Sequence, residues 1–357
     1  MNQKKLLKIR PEIVTYLLGE QSNICLLSLK DILEKLKNHP CMILSANVRV
    51  PHVIPGIMKA ATEKKAIIGF SLARSECDLS GGYTGQTPQI FSDTLLEHAE
   101  MQNFKMPFFI HGDHITVKDN EQDSIYAAKE LIDVEIESGF TSFAIDASCN
   151  EPHESIEIVK RLSRRIQDEG YALEIEIGQA HNSDNHNNLT HPGDAKTYIN
   201  KLITQNVYPS FVSIQNGLKH GVFIEGEEIF IDLKRTKDIY DIVKEYGVFI
   251  SQHAISGKPD NLILKFPNYG IKKGNIGSLW QNITYNNLPK DLMDEIKDWS
   301  ITQGKHIKYA LRHFKSEIDT LPRNIVDKIE LQAYEETLRY INLFHLENTA
   351  SLMNEDD

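Results

Sequence analysis

The residues able to do chemistry fall at intervals along this chain, each just after a short apolar run. "FFIHGDHITV" (108–117) is the sharpest case: the apolar run stops at His111, Gly112, Asp113 and His114, then resumes at Ile115. A polar turn after a strand would explain it. So would a metal ligand beside a catalytic carboxylate. The other run ends bear on the choice. They carry Asn47, Ser71, Asp146 with Ser148, Glu176, Gln215 with Asn216, His253 and Asn275, and the segment after the sixth run adds His220. Singly, an Asn or Asp there is often a helix cap, and one histidine among 14 is more often an ordinary surface or core residue. As a set they are harder to dismiss. His114, His220 and His253 with Glu176 between them suit a catalytic zinc, because three imidazoles leave a fourth position open and a carboxylate can supply it.

Such a set needs a scaffold that brings eight run ends to one rim. The runs 41–47, 66–71, 107–114, 142–148, 171–178, 209–216, 247–253 and 270–277 read as strands, and helical stretches follow each of them. Strict alternation implies a parallel sheet. Eight strand–helix units over this length predict an α/β fold of the (β/α)8 TIM barrel type, with chemistry at the C-terminal strand ends. A doubly wound open sheet is the alternative, but "ANVRVPHV" after the first strand lacks the Gly-rich phosphate turn of that fold. The expected organisation is an N-terminal helical segment (1–35) covering the barrel bottom, a barrel domain (36–285) and a C-terminal helical extension (286–357). In the extension, helical signals at 289–318 and 322–347 are separated by "LPRN", and an acidic tail from Asn348 is expected to fray. The extension suits packing across the barrel or an interface in a homodimer or higher homo-oligomer.

The chain has 357 residues, 41% hydrophobic and 25% charged, which is globular composition. A net charge of −11 argues against nucleic acid and anionic membrane partners, which need concentrated positive charge. No apolar run is long enough to span a bilayer. Cys25, Cys41, Cys77 and Cys149 form no CxxC pair. With no secretory signal, they read as reduced thiols of a cytoplasmic protein.

These segments resemble, in order, the motifs of the class II (zinc-dependent) ketose-bisphosphate aldolases, of the fructose- and tagatose-bisphosphate type. "HGDH" (111–114) is similar to that family's HxDH, "EIEIG" (174–178) to its ExELG, and "LKHGVF" (218–223) to its His-Gly segment. "SQHAISGKPD" (251–260) is similar to its HGGSGxP loop and "GIKKGNIGS" (270–278) to its GIxKxNxxT segment. The resemblance implies a lyase with Zn2+ held by His114, Glu176, His220 and His253, and it admits a monovalent cation as well. It implies Asp113 as the proton carrier and a phosphorylated sugar as substrate. Ser256 and Ser278, with the backbone of Gly221 and Gly257 and the helix starts after strands 7 and 8, would hold phosphate. Asn47, Ser71 and Asn275 would meet substrate hydroxyls. Asp184, the only early acid in the loop after strand 5, is the candidate enolising base. Lys273 and Lys219 are the nearest lysines for a Schiff base, and neither sits in an evidently apolar setting. The sequence departs from the family at "HAISG" and at "NIGS", which loses an Asp.

A second resemblance, through "GGYTGQTP" (81–88), "HGDH" and "IDASCNEP" (145–152), is to the Z-type subunit of tagatose-bisphosphate aldolase. It keeps a non-catalytic barrel subunit as an alternative. Another zinc barrel lyase or hydrolase is the third reading. The glycines of 81–88 suit a flexible rim loop that covers the site or meets a neighbour. Arg74, Arg323 and Arg339 are the candidates for a cation at the far end of the substrate.

Overall fold

The computed structural model describes residues 3–178, 189–218 and 229–354. Eight strands form in it: β1 Ile43–Asn47, β2 Ile68–Ala73, β3 Phe108–Thr116, β4 Ser142–Asp146, β5 Ala172–Ile177, β6 Phe211–Ile214, β7 Phe249–Gln252 and β8 Ile271–Ile276. Each pairs in parallel with the next, and β1 pairs with β8, so the sheet closes in sequence order. This is the expected (β/α)8 barrel, and closure removes the open-sheet alternative.

The strands read as near-continuous apolar runs because helices cover the outer face while side chains fill the inner one. The helix Pro152–Asp168 shows the outer layer. A proline opens it, and Ile156, Val159, Leu162 and Ile166 recur at helical spacing and are buried. Inside, every second residue of a strand points to the axis. In β3 these are Phe109, His111 and Asp113. The Phe109 ring fills the space over Gly69, where a Cβ would lie 2.1 Å from the ring. Above it the interior turns polar, and above that comes the C-terminal rim.

The first 35 residues do not form one helix. They form Gln3–Leu7, Glu12–Leu18 and the start of Leu29–Leu36, because Pro11 and Gly19, the latter at φ 76°, interrupt the pattern. The segment between the last two is bonded to the first residue of β3. Phe108 N–H donates to the Cys25 carbonyl at 3.0 Å, and Leu27 N–H to that of Phe108 at 2.9 Å. Ser28 caps Leu29–Leu36 and donates to the Gly170 carbonyl.

The C-terminal extension is less continuous than its sequence suggests. The stretch 289–318 breaks into Lys290–Gln303, a 3-10 turn Ile307–Ala310 and Lys315–Asp319, with Gly304 at φ 58° ending the first. The helix Arg323–Leu343 lies on Ile54–Lys64 at Gly56, where a Cβ would meet the Glu330 carbonyl at 2.1 Å. The tail does not fray through its described part. Thr349, Ala350 and Met353 are buried, and Thr349 Oγ1 accepts from Ile67 N–H. No described helix is long and apolar enough to cross a membrane.

Candidate active site and metal centre

Regular alternation would send Asp113 and His114 to opposite faces of β3. The strand is not regular there. Its register against β4 shifts between Gly112 and Ile115, and His114 adopts φ 42°. A positive φ on a residue other than glycine belongs to the left-handed region and carries strain. The inserted residue of the bulge brings the His114 imidazole to the same rim as Asp113. Asp113, His114 and His253 consequently offer ligand atoms that all lie within 4.8 Å of one another. Gly112 faces the other way, toward the helix layer outside the barrel. A Cβ there would lie 2.4 Å from Oε2 of Glu135, a buried side chain of the helix Gln122–Glu137.

His114 also belongs to a second group, with Asp146 and Glu176, whose ligand atoms lie within 4.8 Å of one another. Its Nδ1 is paired with Glu176. Burial alone would lower the His114 pKa, but Glu176 and Asp113 outweigh it and raise it well above the usual range. Burial favours a protonated Asp113, yet the imidazoles of His114, His111 and His253 prevail and hold its carboxyl well below the usual range. Burial raises Glu176, with Asp146 adding to it against the opposing His114.

Beneath these groups lies a polar layer built across the barrel. Glu174 of β5 takes the Lys273 ammonium at 2.5 Å and His253 Nε2 at 3.0 Å. Lys273 also donates to His111 Nε2 at 2.9 Å, and His111 Nδ1 meets Ser142 Oγ at 2.8 Å. Burial would raise Glu174, but Lys273 and His253 lower it, so it stays ionised and can only accept. His253 Nε2 must then be the protonated nitrogen. Its Nδ1 is the lone-pair edge, 3.3 Å from Asn275 Nδ2. Asn275 Nδ2 also donates to Asp113 Oδ1 at 3.0 Å. Lys273 is fully buried and committed to Glu174, so it is not poised to form an imine.

A cavity of 1090 Å³ opens above the rim, lined among others by Asn47, Arg49, Arg74, Asp113, His114, His253, Ser256, Asn275 and Ser278. Among the expected substrate contacts, Ser71 does not line it. Ser71 is fully buried and bonded to Ser45 Oγ at 3.1 Å, because it points inward below the rim. Gly257, at φ 74°, forms the turn beside Ser256 but is not a lining residue. The helix after β7, Asp260–Ile263, has four residues and begins with an acid, so it offers no anion-favouring start. The ten-residue helix Ser278–Asn287 after β8 does begin at the cavity. Asp184, His220, Gly221 and Lys219 lie outside the described residues.

Arg323 and Arg339 are spent on the outer surface, on Asp327 and Glu330, and on Asp260 and Glu336. Arg74 does line the cavity, with Nη1 on the Thr116 carbonyl. The 81–88 segment is not a free rim loop. Asp78 Oδ1 accepts from Ser80 and Gly82 N–H, Arg312 of the extension donates to the Gly82 carbonyl, and Lys315 lies over Gly85. The extension itself supplies His306, Ile307, Lys308 and Tyr309 to the cavity wall.

Glu174 and Glu76 escape a reading of strand ends, and Asp146, read at the end of the fourth strand, receives no role from it. Glu174 shares the inward face with Glu176, and period two alone identifies it. Asp146 ends β4 but is distinguished only by its spatial neighbours. Glu76 stands in "RSECDLS" like any surface acid, yet it is buried and collects four bonds. Asn47 Nδ2 at 2.5 Å, Arg49 Nε at 2.7 Å, Tyr83 OH at 2.8 Å and Ala73 N–H at 2.8 Å all donate to it.

Comparison with known proteins agrees with this geometry. The sequence model of the family described as "Fructose-bisphosphate aldolase class-II" matches residues 27–349. A fructose-bisphosphate aldolase of Giardia intestinalis is 26% identical over 253 residues, covering 69% of this chain and 70% of that protein. A fructose-bisphosphate aldolase of Staphylococcus epidermidis is 23% identical over 258 residues, 71% of this chain and 81% of that one. In fold, the YdjI aldolase of Escherichia coli K12 superposes with TM-score 0.65 at 18% identity, over 91% of this chain and 99% of that one. The fructose-bisphosphate aldolase of Campylobacter jejuni does so with TM-score 0.64 at 17% identity, over 90% and 95%.

Proposed function

The chain belongs to the class II fructose-bisphosphate aldolase family and is an aldolase, a carbon–carbon lyase; we propose that it is zinc-dependent and acts on a ketose phosphate at the β3–β5–β7–β8 rim. The observation that carries this reading is the convergence of Asp113, His114 and His253 in one cavity, produced by the β3 bulge. The donor set fits the ion. Imidazole nitrogens backed by carboxylates suit zinc, and His253 is already oriented by Glu174 with its Nδ1 edge turned away from that carboxylate. His114, His253 and His220 would hold it, with Glu176 as the alternative ligand. A zinc ion there would withdraw charge from the substrate carbonyl and stabilise the negative charge that carbon–carbon cleavage leaves behind.

The chain's own groups do the rest. Asp113 stays ionised and is steadied by Asn275, so it can take the proton of the hydroxyl next to the bond that breaks and return it in the reverse direction. Asn47 and Asn275 line the cavity and would meet substrate hydroxyls there. Ser256, Ser278 and the helix start at Ser278 suit a phosphate. The ion pair of Lys273 with Glu174, away from the cavity lining, argues against a Schiff-base route.

The test joins metal analysis of the purified protein to a retro-aldol assay across ketose phosphates. Stoichiometric zinc and cleavage abolished by a chelator are expected. Protein without metal, or cleavage insensitive to chelation, overturns the reading.

A further inference from the structure

His114 holds φ 42° without being a glycine, and a residue strained in this way persists only where its surroundings fix it. The sheet does little of the fixing. Against β4 the register is broken between Gly112 and Ile115. Against β2 the last pair is Ala73 with Asp113. The chain turns away after Ala73, whose carbonyl takes Glu76 N–H at 2.7 Å and Cys77 N–H at 2.9 Å. His114, Ile115 and Thr116 thus run past the end of β2.

One residue stands in for the missing strand. Arg74 N–H donates to the Asp113 carbonyl at 3.0 Å, and its Nη1 donates to the Thr116 carbonyl at 2.6 Å. The two bonds hold the backbone on either side of His114, and the second is charge-assisted, hence of the stronger kind. Thr116 is in turn paired with Asp146, and its Oγ1 meets Asp146 Oδ2 at 3.2 Å. The clasp therefore runs from the end of β2 across the bulge to the end of β4. Among the described residues Arg74 forms no ion pair, so no carboxylate competes for the guanidinium.

We propose that Arg74 is a positioning residue, which clasps the β3 bulge and so keeps the His114 imidazole at the rim beside Asp113 and His253. Its side chain lines the cavity, but its effect on the metal centre passes through His114. That role differs from a cation reserved for the far end of the substrate. The inference rests on the zinc reading above.

The test uses zinc alone, without substrate, so that a lost substrate contact cannot register. Competition with a chromogenic chelator gives the zinc affinity of the wild type, Arg74→Met and Arg74→Lys. Arg74→Met keeps an unbranched chain but has no donor. It should bind zinc at least about 10-fold more weakly, as when a group that orients a ligand is lost. Arg74→Lys restores a charged donor and should recover part of that loss. Unchanged zinc affinity in Arg74→Met overturns the inference, even where KM rises, because Arg74 would then serve the substrate only. A loss that Arg74→Lys leaves in full also overturns it, since packing and not the donor would be at fault. Should Arg74→Met fail to fold, Arg74→Gln, whose amide ends short of Nη1, is judged by the same two outcomes. A wild-type protein that takes up no zinc overturns the zinc reading itself, and this inference with it.

Discussion

His253 Nε2 rests on Glu174 Oε1 at 3.0 Å, so the carboxylate decides which edge of the ring is presented to the cavity. Outer partners of this kind typically account for about 10–100-fold in metal affinity. Glu174→Gln should therefore lose zinc at chelator concentrations that leave the wild type loaded, and competition titration reads the difference directly. Unchanged affinity would remove Glu174 from the positioning of His253.

Asp113 carries the proton transfer in the proposed reaction. Asp113→Asn keeps the size of the side chain and its neighbours. It is expected to lower kcat by about 10²–10⁴-fold. Metal content should stay near the wild-type value if Asp113 is a proton carrier, and fall with activity if it is chiefly a ligand.

Lys273 and Glu174 are both fully buried and bonded at 2.5 Å. Removing one partner of such a pair leaves the other charged and alone, which costs about 3–5 kcal/mol. Lys273→Met should show that loss in urea unfolding at neutral pH. Borohydride should trap no imine in the wild type in the presence of substrate.

Gly112 and Glu135 are packed back to front behind the bulge. Gly112→Ala would drive a methyl group into Glu135 Oε2 and should cost about 1–3 kcal/mol. Adding Glu135→Ala should recover part of it, and a double-mutant cycle measures that coupling. Strictly additive effects would mean that the two positions do not press on one another.

Glu135 also sets a pH dependence. Burial lifts its pKa well above the ordinary 4.5, Arg74 opposing and Asp113 adding. A carboxyl with a raised folded-state pKa binds its proton more tightly when folded. Its contribution is complete below the unfolded value and is lost as pH rises toward the folded one. Each pH unit crossed between the two is worth about 1.4 kcal/mol. Glu135→Gln should thus be more stable than the wild type near pH 7, with the gain shrinking toward pH 4. Melting temperatures across that range decide it, and a constant difference would contradict the assignment.

The sequence carried the barrel because period-two strands and helical stretches alternate with few interruptions, and His114, Glu176, His253 and Asn275 could be placed by counting strand ends. Counting fails where the chain leaves its period. Nothing in "HGDH" announces a left-handed histidine, and without it Asp113 and His114 diverge. Ser71 fails for the opposite reason. It keeps the period faithfully and ends one layer too deep. Glu76 was invisible because its role depends on Asn47, Arg49 and Tyr83, which are brought to it only by folding.

The β3 bulge makes the site answer to chain length as well as to side-chain chemistry. Elsewhere on the rim a residue can be exchanged while its neighbours keep their direction. Asp113 and His114 are the only residues between Gly112 and Ile115, so loss of a single codon there would restore a regular strand only by removing one of the two proposed reacting groups. In descendants of this chain, that short stretch should accept substitutions at Gly112 paired with changes at Glu135, yet resist insertion and deletion altogether.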